Sequence, residues 1–327
     1  REAGRRTQCL NNLRNVTVAM HNFASSNKSR LPASAYFPGV SGSAANYEGR
    51  SWVIELLPFM DQQGTYDRWD KGLEWSDNST IAPAPTGKGY SNLSLGNDLS
   101  VEALTCPNDE SSFQVSGGLT YVVNVGFGDA TLTNATGVVE HSFTAEPFDW
   151  DGNGTGGDPT DQTITQATGV FWPEFGSVGA TRNASATLGK IYDGTSNTLM
   201  LGENIKSGVV GTNFADPRTR ASAFMFPLNA TAVTSGSLND IPAIGTGGGA
   251  PYPNGSKDAV QGNAPYLTSA HPGIVVVAMV DGSAKTISEG IDKTVYTSLL
   301  TPAGTRLRKD FNGVTMAVED PVSSDSF

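Results

Sequence analysis

The chain has 327 residues, which allows two domains of ordinary size or one domain with large insertions. Apolar residues make up 38% of the chain and aromatic residues 9%, a composition that argues against intrinsic disorder. The 21 Lys and Arg face 32 Asp and Glu, and the resulting net charge of −11 repels phosphates, so nucleic acid is excluded as an expected partner. The longest apolar stretch, Ile274 to Val280, is only as long as a strand.

The segment from Glu2 to about Asn27 is predicted to be a helix with one buried face. Its apolar residues recur at intervals of three and four, which is typical of an amphipathic helix. These residues are Leu10, Leu13, Val16, Met20 and Phe23. The helix is expected to end before Pro32, because proline cannot continue it.

A second helical segment is predicted from Ser51 to Trp69. Ser51 is a plausible N-cap, since its hydroxyl can accept a hydrogen bond from a free backbone amide of the first turn. Pro58 must bend or interrupt this segment.

After Asp70 the pattern becomes typical of β-structure, with short apolar runs separated by Gly, Asn, Asp and Pro. The clearest predicted strands are Leu119 to Val125, Gly169 to Trp172, Thr198 to Leu201, Ile274 to Val280 and Ala284 to Ile287. The Asp281-Gly282 pair between the last two predicts a hairpin and hence antiparallel pairing. Two polar, Gly-rich stretches, Asn134 to Thr168 and Asn229 to Asn263, are expected to be long surface loops.

Several motifs together resemble one family, the DUF1559 domain family of planctomycete-type proteins with a pilin-like N-terminus. The N-terminal motifs are Arg5 to Arg14, His21-Asn22-Phe23, Leu31-Pro32, Ser51 to Gln62 and Leu104 to Asp109. The most specific motif runs from Ile191 to Glu203 and includes Asp193, Gly194, Ser196 and Asn197. The last is His271, which nine residues separate from Asp281-Gly282.

The resemblance implies a pilin-like α+β fold, with a long N-terminal helix (residues 1–30) packed on the antiparallel sheet of a globular head (residues 31–327). It implies an exported protein at the cell surface, in the periplasm or outside the cell, whose partners are other pilin-like subunits or a secretion or pilus machinery. It also implies an apolar stem of about 20 residues before Arg1 that reaches the membrane. The sequence departs from the family here, because this stem is absent from it.

An acidic loop suggests a calcium site. Asp149, Asp151 and Asn153 occupy relative positions 1, 3 and 5, and Gly154 occupies position 6, as in the first half of an EF-hand loop. Position 12 is Thr160 instead of a bidentate Glu, so other oxygen atoms would have to complete the shell. The remaining candidate ligands are Thr155, Asp158 and Asp161. The alternative is a solvated acidic loop without a metal.

Cys9 and Cys106 are the only cysteines, and an exported protein could join them. Such a bridge would close a loop of about 100 residues, for which chain entropy gives up to about 4.7 kcal/mol. The alternative is two buried free thiols that act as small apolar residues. Neither cysteine has the spacing of a zinc motif or of a redox C-x-x-C motif.

The sequence favours a non-enzymatic protein. It has three histidines, His21, His141 and His271, and lacks the common hydrolase, zinc-protease and nucleotide-binding motifs. A hydrogen-bonded structural role is the better interpretation of His21 and His271, and Asp193 and Asp281, each followed by Gly, are predicted to form turns.

The predicted function is that of a structural pilin-like or pseudopilin-like subunit that forms or decorates a filament. The alternative is a solute-binding or glycan-binding surface module, organised by calcium, in which exposed Trp150, Trp172 or Tyr252 would stack on the ligand.

Overall fold

The computed structural model describes residues 1–37, 49–78, 90–129, 148–150, 153–175, 187–208, 213–228, 251–304, 310–311 and 314–315. The helices are α1 Glu2–Ser26, α2 Trp52–Leu56, α3 Gln63–Arg68, α4 Asn92–Asp98, α5 Pro159–Ala167, α6 Thr219–Ser222 and α7 Lys293–Leu300. The strands are β1 Ala35–Phe37, β2 Arg50–Ser51, β3 Tyr121–Asp129, β4 Glu174–Phe175, β5 Leu199–Glu203, β6 Ala223–Leu228, β7 Ile274–Met279, β8 Ala284–Ser288, β9 Asp310–Phe311 and β10 Val314–Thr315. None of the described helices is both long enough and apolar enough to cross a membrane.

The main sheet has five strands in the order β6-β3-β5-β7-β8. The pairs β3–β5, β5–β7 and β7–β8 are antiparallel, whereas β6 lies parallel to β3. A smaller sheet has the order β2-β1-β4, and β9 pairs with β10. The α+β class predicted from the sequence, with an N-terminal helix and an antiparallel sheet, is confirmed.

Strand β7 shows how the sheet is covered on both faces. Side chains alternate along a strand, so neighbouring residues face opposite sides. Val275 and Val277 belong to the apolar cluster that includes Tyr296 and Leu299 of α7. Val276 and its neighbours on the same face belong to the cluster that includes α1. The apolar run of β7 therefore follows from its central place between two layers.

Helix α1 spans 25 residues and packs on the sheet through one stripe, as the periodicity predicts. Leu13, Val16 and Met20 are fully buried, while Leu10 and Phe23 are partly buried at the border of the stripe. The apolar stripe is thus used inside the head, where it joins α1 to β7 and β8.

The second predicted helical segment is broken, as Pro58 requires. Ser51 caps α2, because its Oγ accepts a hydrogen bond from the Val53 amide at 3.3 Å. A 3₁₀ turn at Leu57–Met60 contains Pro58, and α3 follows it.

Two predictions of secondary structure are wrong. Gly169 to Trp172 is not a strand but a buried segment without regular structure. The predicted surface loop from Asn134 to Thr168 contains α5, whose Asp161 and Thr165 are fully buried. Asp158 caps this helix and Pro159 occupies its first turn, so the local sequence favours a helix start.

The two predicted surface loops, Asn134 to Thr168 and Asn229 to Asn263, lie partly outside the described residues. Residues 130–147 and 229–250 lie outside the described residues, so the loops predicted there are not tested. Residues 251–263 form turns without helix or strand.

Strand β6 was not predicted from the sequence. It lies at the edge of the main sheet, where Pro227 is tolerated because one side of an edge strand has no neighbour to bond.

Candidate functional site

Cys9 and Cys106 are joined by a disulfide in the interior of the molecule. Cys9 lies on the third turn of α1, and Cys106 follows a 3₁₀ turn at Glu102–Leu104. The Asn12 side chain, one turn further along α1, donates hydrogen bonds to the Glu102 carbonyl at 3.2 Å and to the Thr105 carbonyl at 2.9 Å. The first turns of α1 are therefore attached to the head by a covalent bond and by buried hydrogen bonds.

His271 and Glu203 complete a buried cluster with the two sulfurs. His271 Nε2 lies 3.4 Å from Cys9 Sγ and 3.5 Å from Cys106 Sγ. The same nitrogen lies 3.7 Å from Glu203 Oε1, and both side chains are fully buried. Glu203 ends β5 and His271 precedes β7; since these strands are antiparallel neighbours, the end of one lies beside the start of the other.

The other ring nitrogen of His271 faces the start of α1. His271 Nδ1 contacts the Glu2 carboxylate, and the Asn108 amide donates to the same carboxylate at 2.9 Å. An ionised carboxylate only accepts hydrogen bonds, so Nδ1 carries a proton and Nε2 faces the sulfurs. The Arg5 guanidinium donates to the side-chain oxygen Oδ1 of Asn108 at 2.9 Å. The hydrogen bonds from His271 and Asn108 hold the pKa of Glu2 below its ordinary value.

Burial changes the protonation of Glu203. Loss of solvation raises the pKa of this carboxyl to about 8, because the charged form is disfavoured away from water. The Val276 amide donates to Oε2 at 3.1 Å and the Ser269 side chain also contacts the carboxyl, while Oε1 has no hydrogen-bond partner of good geometry among the described residues. Oε1 therefore points into the cluster with its bonding capacity unused.

The ligand-type atoms of Cys9, Cys106, Glu203 and His271 all lie within 4.8 Å of one another. Within the part of the chain that the structure describes, these four residues are the group that could hold a metal ion. With the disulfide closed, the sulfurs are occupied by each other and the cluster acts as a buried cross-link between α1, β5 and the segment before β7.

The Asp281-Gly282 turn lies at the opposite end of β7, also against α1. Gly282 has φ +89°, and a Cβ built there would lie 3.7 Å from Thr17 Cγ2. The Asp281 side chain accepts a hydrogen bond from the Ser283 amide at 2.8 Å. The two ends of β7 thus contact α1 near Glu2 and near Thr17. These α1 positions are about 22 Å apart, close to the length of about 20 Å expected for a six-residue strand.

The remaining family-motif residues surround this turn. The Asp281 amide donates to the Thr195 carbonyl at 2.9 Å, and Gly194 has φ +99°. Asp193 accepts hydrogen bonds from the Gly304 amide and from Thr301 Oγ1. Ser196 is exposed, and the Asn197 amide donates to the Gly194 carbonyl at 3.1 Å. This loop therefore connects the hairpin turn to the segment after α7.

The predicted calcium ligands accept hydrogen bonds from the backbone. The Asp149 carboxylate accepts from the Asn153 amide at 3.1 Å and from the Gly154 amide at 3.0 Å. The Asn153 side chain in turn accepts from the Thr155 amide at 2.7 Å. Asp151 lies outside the described residues.

The other two candidate carboxylates belong to the start of α5. Asp158 accepts from the amides of Thr160 and Asp161 as an N-cap, which lowers its pKa. Asp161 accepts from the Trp150 amide at 2.6 Å. The calcium site stays a prediction, and a bound ion would have to share these oxygens with backbone amides.

The aromatic platforms expected for a ligand are not exposed. Trp150 is 2% exposed and Trp172 is fully buried, so neither can stack on a sugar at the surface. Tyr252 is half-buried against Phe226 and Tyr296. The prediction that the two tryptophans are exposed is wrong, because they fill the core beside the sheet.

Glu2 and Asn108 were not predicted as site residues. The sequence signal for Asn108 was its place in the Thr-Cys-Pro-Asn-Asp segment, two residues after a cysteine. Glu2 had no sequence signal beyond its place in the first turn of a helix. His141 lies outside the described residues.

An N-terminal helix docked on a mainly antiparallel sheet and cross-linked to the head by a buried disulfide defines an α+β protein of the helix-on-sheet class. Residues 1–294 match the family model described as a protein of unknown function, DUF1559. The chain belongs to the DUF1559 family, as its motifs indicate. Searches of the curated proteins and of the solved structures each returned no match.

Proposed function

We propose that this protein is a structural, pilin-like or pseudopilin-like subunit, without enzymatic activity, that forms or decorates a cell-surface filament or a secretion-type pseudopilus. Membership of the DUF1559 family supports the proposal, through the resemblance that its motifs have to pilin-like N-termini. The architecture supports it as well, since α1 is a long helix fixed on a sheet and offers a second face to neighbours.

The observation that carries the proposal is the exposed stripe of α1. One face of the helix is buried in the head, while residues on the opposite face recur at intervals of three and four and are exposed. This outer stripe consists of Thr7, Asn11, Arg14, Val18, Asn22 and Ser25. Val18 is a large apolar side chain in its centre and is 56% exposed. In a filament, the α1 helices of neighbouring subunits would pack against each other through this stripe.

The disulfide supports export. Disulfides persist in oxidising compartments and are rare where thiols are kept reduced. A buried cross-link between α1 and the head suits a protein that works outside the cytoplasm, as the scaffold proposal requires.

Val18→Glu tests the scaffold role. We expect the substitution to change the free energy of unfolding by less than about 0.5 kcal/mol, because the site is exposed and Glu is a good helix former. Filament formation should be lost, since a hydrated carboxylate would replace the apolar side chain in the centre of the interface. Electron microscopy of expressing cells measures assembly, and thermal unfolding measures stability.

Val260→Glu is the matched control, because Val260 is 70% exposed and lies far from α1 in the sequence. The control protein should assemble like the unchanged protein. If Val18→Glu assembles equally well, or if cells that express the unchanged protein show no filament or surface structure at all, the scaffold proposal is wrong.

The second candidate function, binding of a solute or glycan, is favoured by a cleft of about 470 Å³ at the C-terminal end of α1. Its charged lining is Lys28, Arg30, Arg50, Lys71, Glu55 and Glu174, an excess of two positive charges. Glu55 pairs with Arg50 at 2.8 Å and with Lys71 at 3.4 Å. The excess positive charge favours an acidic ligand.

A glycan array that includes acidic sugars tests this second function. The unchanged protein should bind an acidic subset, and Lys28→Ala with Arg30→Ala should weaken that binding at least about tenfold, by loss of two charges. Repeating the array with a calcium chelator tests the calcium prediction in the same experiment. A flat response across all sugars would remove the binding function.

A further inference from the structure

We propose that the dithiol form of this protein binds one Zn²⁺ through Cys9 Sγ, Cys106 Sγ, His271 Nε2 and Glu203 Oε1. The disulfide and the metal would then be two alternative cross-links between α1 and the head. The inference concerns the buried cluster and does not depend on the scaffold role of the protein.

The distances from His271 Nε2 to the other three ligand atoms are close to those of a tetrahedral zinc site. With Zn–S of about 2.3 Å and Zn–N and Zn–O of about 2.1 Å, tetrahedral ligands are separated by about 3.6 Å between sulfur and nitrogen and about 3.4 Å between nitrogen and oxygen. His271 Nε2 lies 3.4 Å and 3.5 Å from the two sulfurs, and 3.7 Å from the Glu203 oxygen. The two sulfurs are too close for a metal, because they are bonded to each other. Opening the disulfide lets them separate to the required distance of about 3.8 Å. The ligand atoms of the cluster lie up to 4.8 Å apart, so the most distant of them must move inward when the metal binds.

The ligand chemistry fits zinc and does not suit the hard divalent ions. Two thiolates and an imidazole exclude Mg²⁺ and Ca²⁺, which prefer oxygen ligands, and a carboxylate is an accepted fourth zinc ligand. All four residues are buried, so the site has no open position for a substrate. A closed four-ligand site is structural.

The groups that would orient these ligands are already in place. Zinc-bound histidines almost always donate their other N–H to a carboxylate or a carbonyl, and His271 Nδ1 contacts the Glu2 carboxylate. The Val276 amide holds Glu203 Oε2 at 3.1 Å, which leaves Oε1 free to bind the metal. Oε1 is fully buried and lacks a hydrogen-bond partner among the described residues, as expected of an empty ligand position.

The chemical change between the two forms balances as a two-electron reduction. A water-soluble phosphine gives two electrons to the S–S bond, takes an oxygen atom from water to become the phosphine oxide, and the two water protons go to the sulfurs. Zinc then replaces the two thiol protons, and any proton on Glu203, which pass to solvent. Binding is therefore expected only after reduction.

Calorimetry with zinc sulfate tests the proposal on the full chain. After treatment with the phosphine and removal of metals, the protein should bind one Zn²⁺ per chain, whereas the oxidised protein should bind none at this site. Co²⁺ used as a probe should give the intense visible bands of a tetrahedral thiolate complex. Binding of zinc with equal affinity by the oxidised protein, or no binding after reduction, overturns the proposal.

Variants assign the ligands. Glu203→Gln keeps the shape and should weaken zinc binding at least about tenfold, and Glu2→Gln should weaken it about 10-fold to 100-fold through the orientation of His271. Glu110→Gln is the matched control, because Glu110 is exposed and close to Cys106 in the sequence. Equal affinity of Glu203→Gln and Glu110→Gln would show that the carboxylate is not a ligand and would contradict the four-ligand site.

A second measurement keeps the proposal testable if reduction loosens the fold. Zinc should then restore the melting temperature of the reduced chain by about 5 °C or more at saturating concentration, since a ligand of the folded state stabilises it. The Cys9→Ser, Cys106→Ser chain should show no such shift. A shift of equal size in that chain would show that zinc acts elsewhere.

Discussion

Replacement of both cysteines, Cys9→Ser with Cys106→Ser, is expected to lower the free energy of unfolding by up to about 4.7 kcal/mol in metal-free buffer. The disulfide joins residues 97 positions apart, so it removes many conformations from the unfolded chain. The loss should be largest in the first three turns of α1, because Leu13, Val16 and Met20 still hold the remainder of the helix on the sheet. Denaturation by guanidinium measures the total loss, and amide hydrogen exchange along α1 locates it.

Two controls accompany this experiment. The unchanged protein treated with a phosphine in metal-free buffer should unfold at nearly the same denaturant concentration as the double variant. Asn11→Ser, an exposed change on the same helix, should have a midpoint close to that of the unchanged protein. A double variant as stable as the unchanged protein would mean that buried packing alone fixes the start of α1.

Stability of the oxidised protein is expected to fall as pH rises from about 4.5 to about 8, by up to about 1.4 kcal/mol per pH unit. The cause is Glu203, whose pKa is raised from 4.5 to about 8 by burial. Between these two values the folded chain keeps the proton that the unfolded chain has released, so raising the pH favours unfolding. The contribution of Glu203 is fully present below about pH 4.5 and is lost once the pH exceeds about 8.

Glu203→Gln isolates this effect, because the amide keeps the shape of the protonated acid but does not titrate. The difference in unfolding free energy between the two proteins should shift in favour of Gln as pH rises from 5 to 8. The titratable groups that face Glu203 are His271, Glu2 and Asp109. All three are present in both proteins, so the two chains differ only in the side chain at position 203. The contribution of Glu2 to stability depends on pH in the opposite direction. Its pKa is lowered in the folded chain, so the stability that it gives is lost as the pH falls. A constant difference across this range would show that Glu203 ionises normally.

Elements with strong local signals were predicted from the sequence. The three-and-four spacing of Leu13, Val16 and Met20 predicts α1, and Asp281-Gly282 predicts the β7–β8 hairpin. The segment Gly169 to Trp172 has the composition of a strand but is fixed by a contact that composition does not report. A Cβ on Gly169 would lie 2.4 Å from the Val125 backbone, so this approach to β3 requires glycine. The Phe171 amide donates to the Asn124 carbonyl of β3 at 2.9 Å, but no ladder of such bonds is formed between residues 169–172 and β3.

The acidic loop shows that one sequence pattern can be compatible both with a calcium site and with the start of a helix. The sequence predicts Asp158 and Asp161 as the residues that complete a calcium shell begun by the alternating oxygen ligands before them, because position 12 of the loop is Thr160. In the structure these two aspartates form a capping box at the start of α5. The Asp158 side chain accepts a hydrogen bond from the Asp161 backbone amide, and the Asp161 side chain accepts one from the Asp158 backbone amide. Asp-Pro-Thr-Asp is also typical of the start of a helix. The helix was not predicted, because the residues that follow are polar and rich in Thr.

The candidate site could be predicted residue by residue but not as a cluster. Cys9, Cys106, Glu203 and His271 were each singled out from the sequence. Their meeting depends on the antiparallel pairing of β5 with β7 and on the position of α1 across them, which are properties of the tertiary structure. Spacing rules for zinc ligands assume that two ligands come from one local turn, and here each ligand comes from a different part of the chain.

The contacts at both ends of β7 limit how this strand can change in length. Insertion of a single residue within Ile274–Met279 would turn every following side chain to the opposite face, so the valines now against α1 would face α7. Removal or addition of two residues would keep the faces but would move the hairpin turn by about 7 Å along α1, away from Thr17. The number of residues between His271 and Asp281 is therefore matched to the length of α1 between Glu2 and Thr17. Neither segment can gain or lose residues without a matching change in the other.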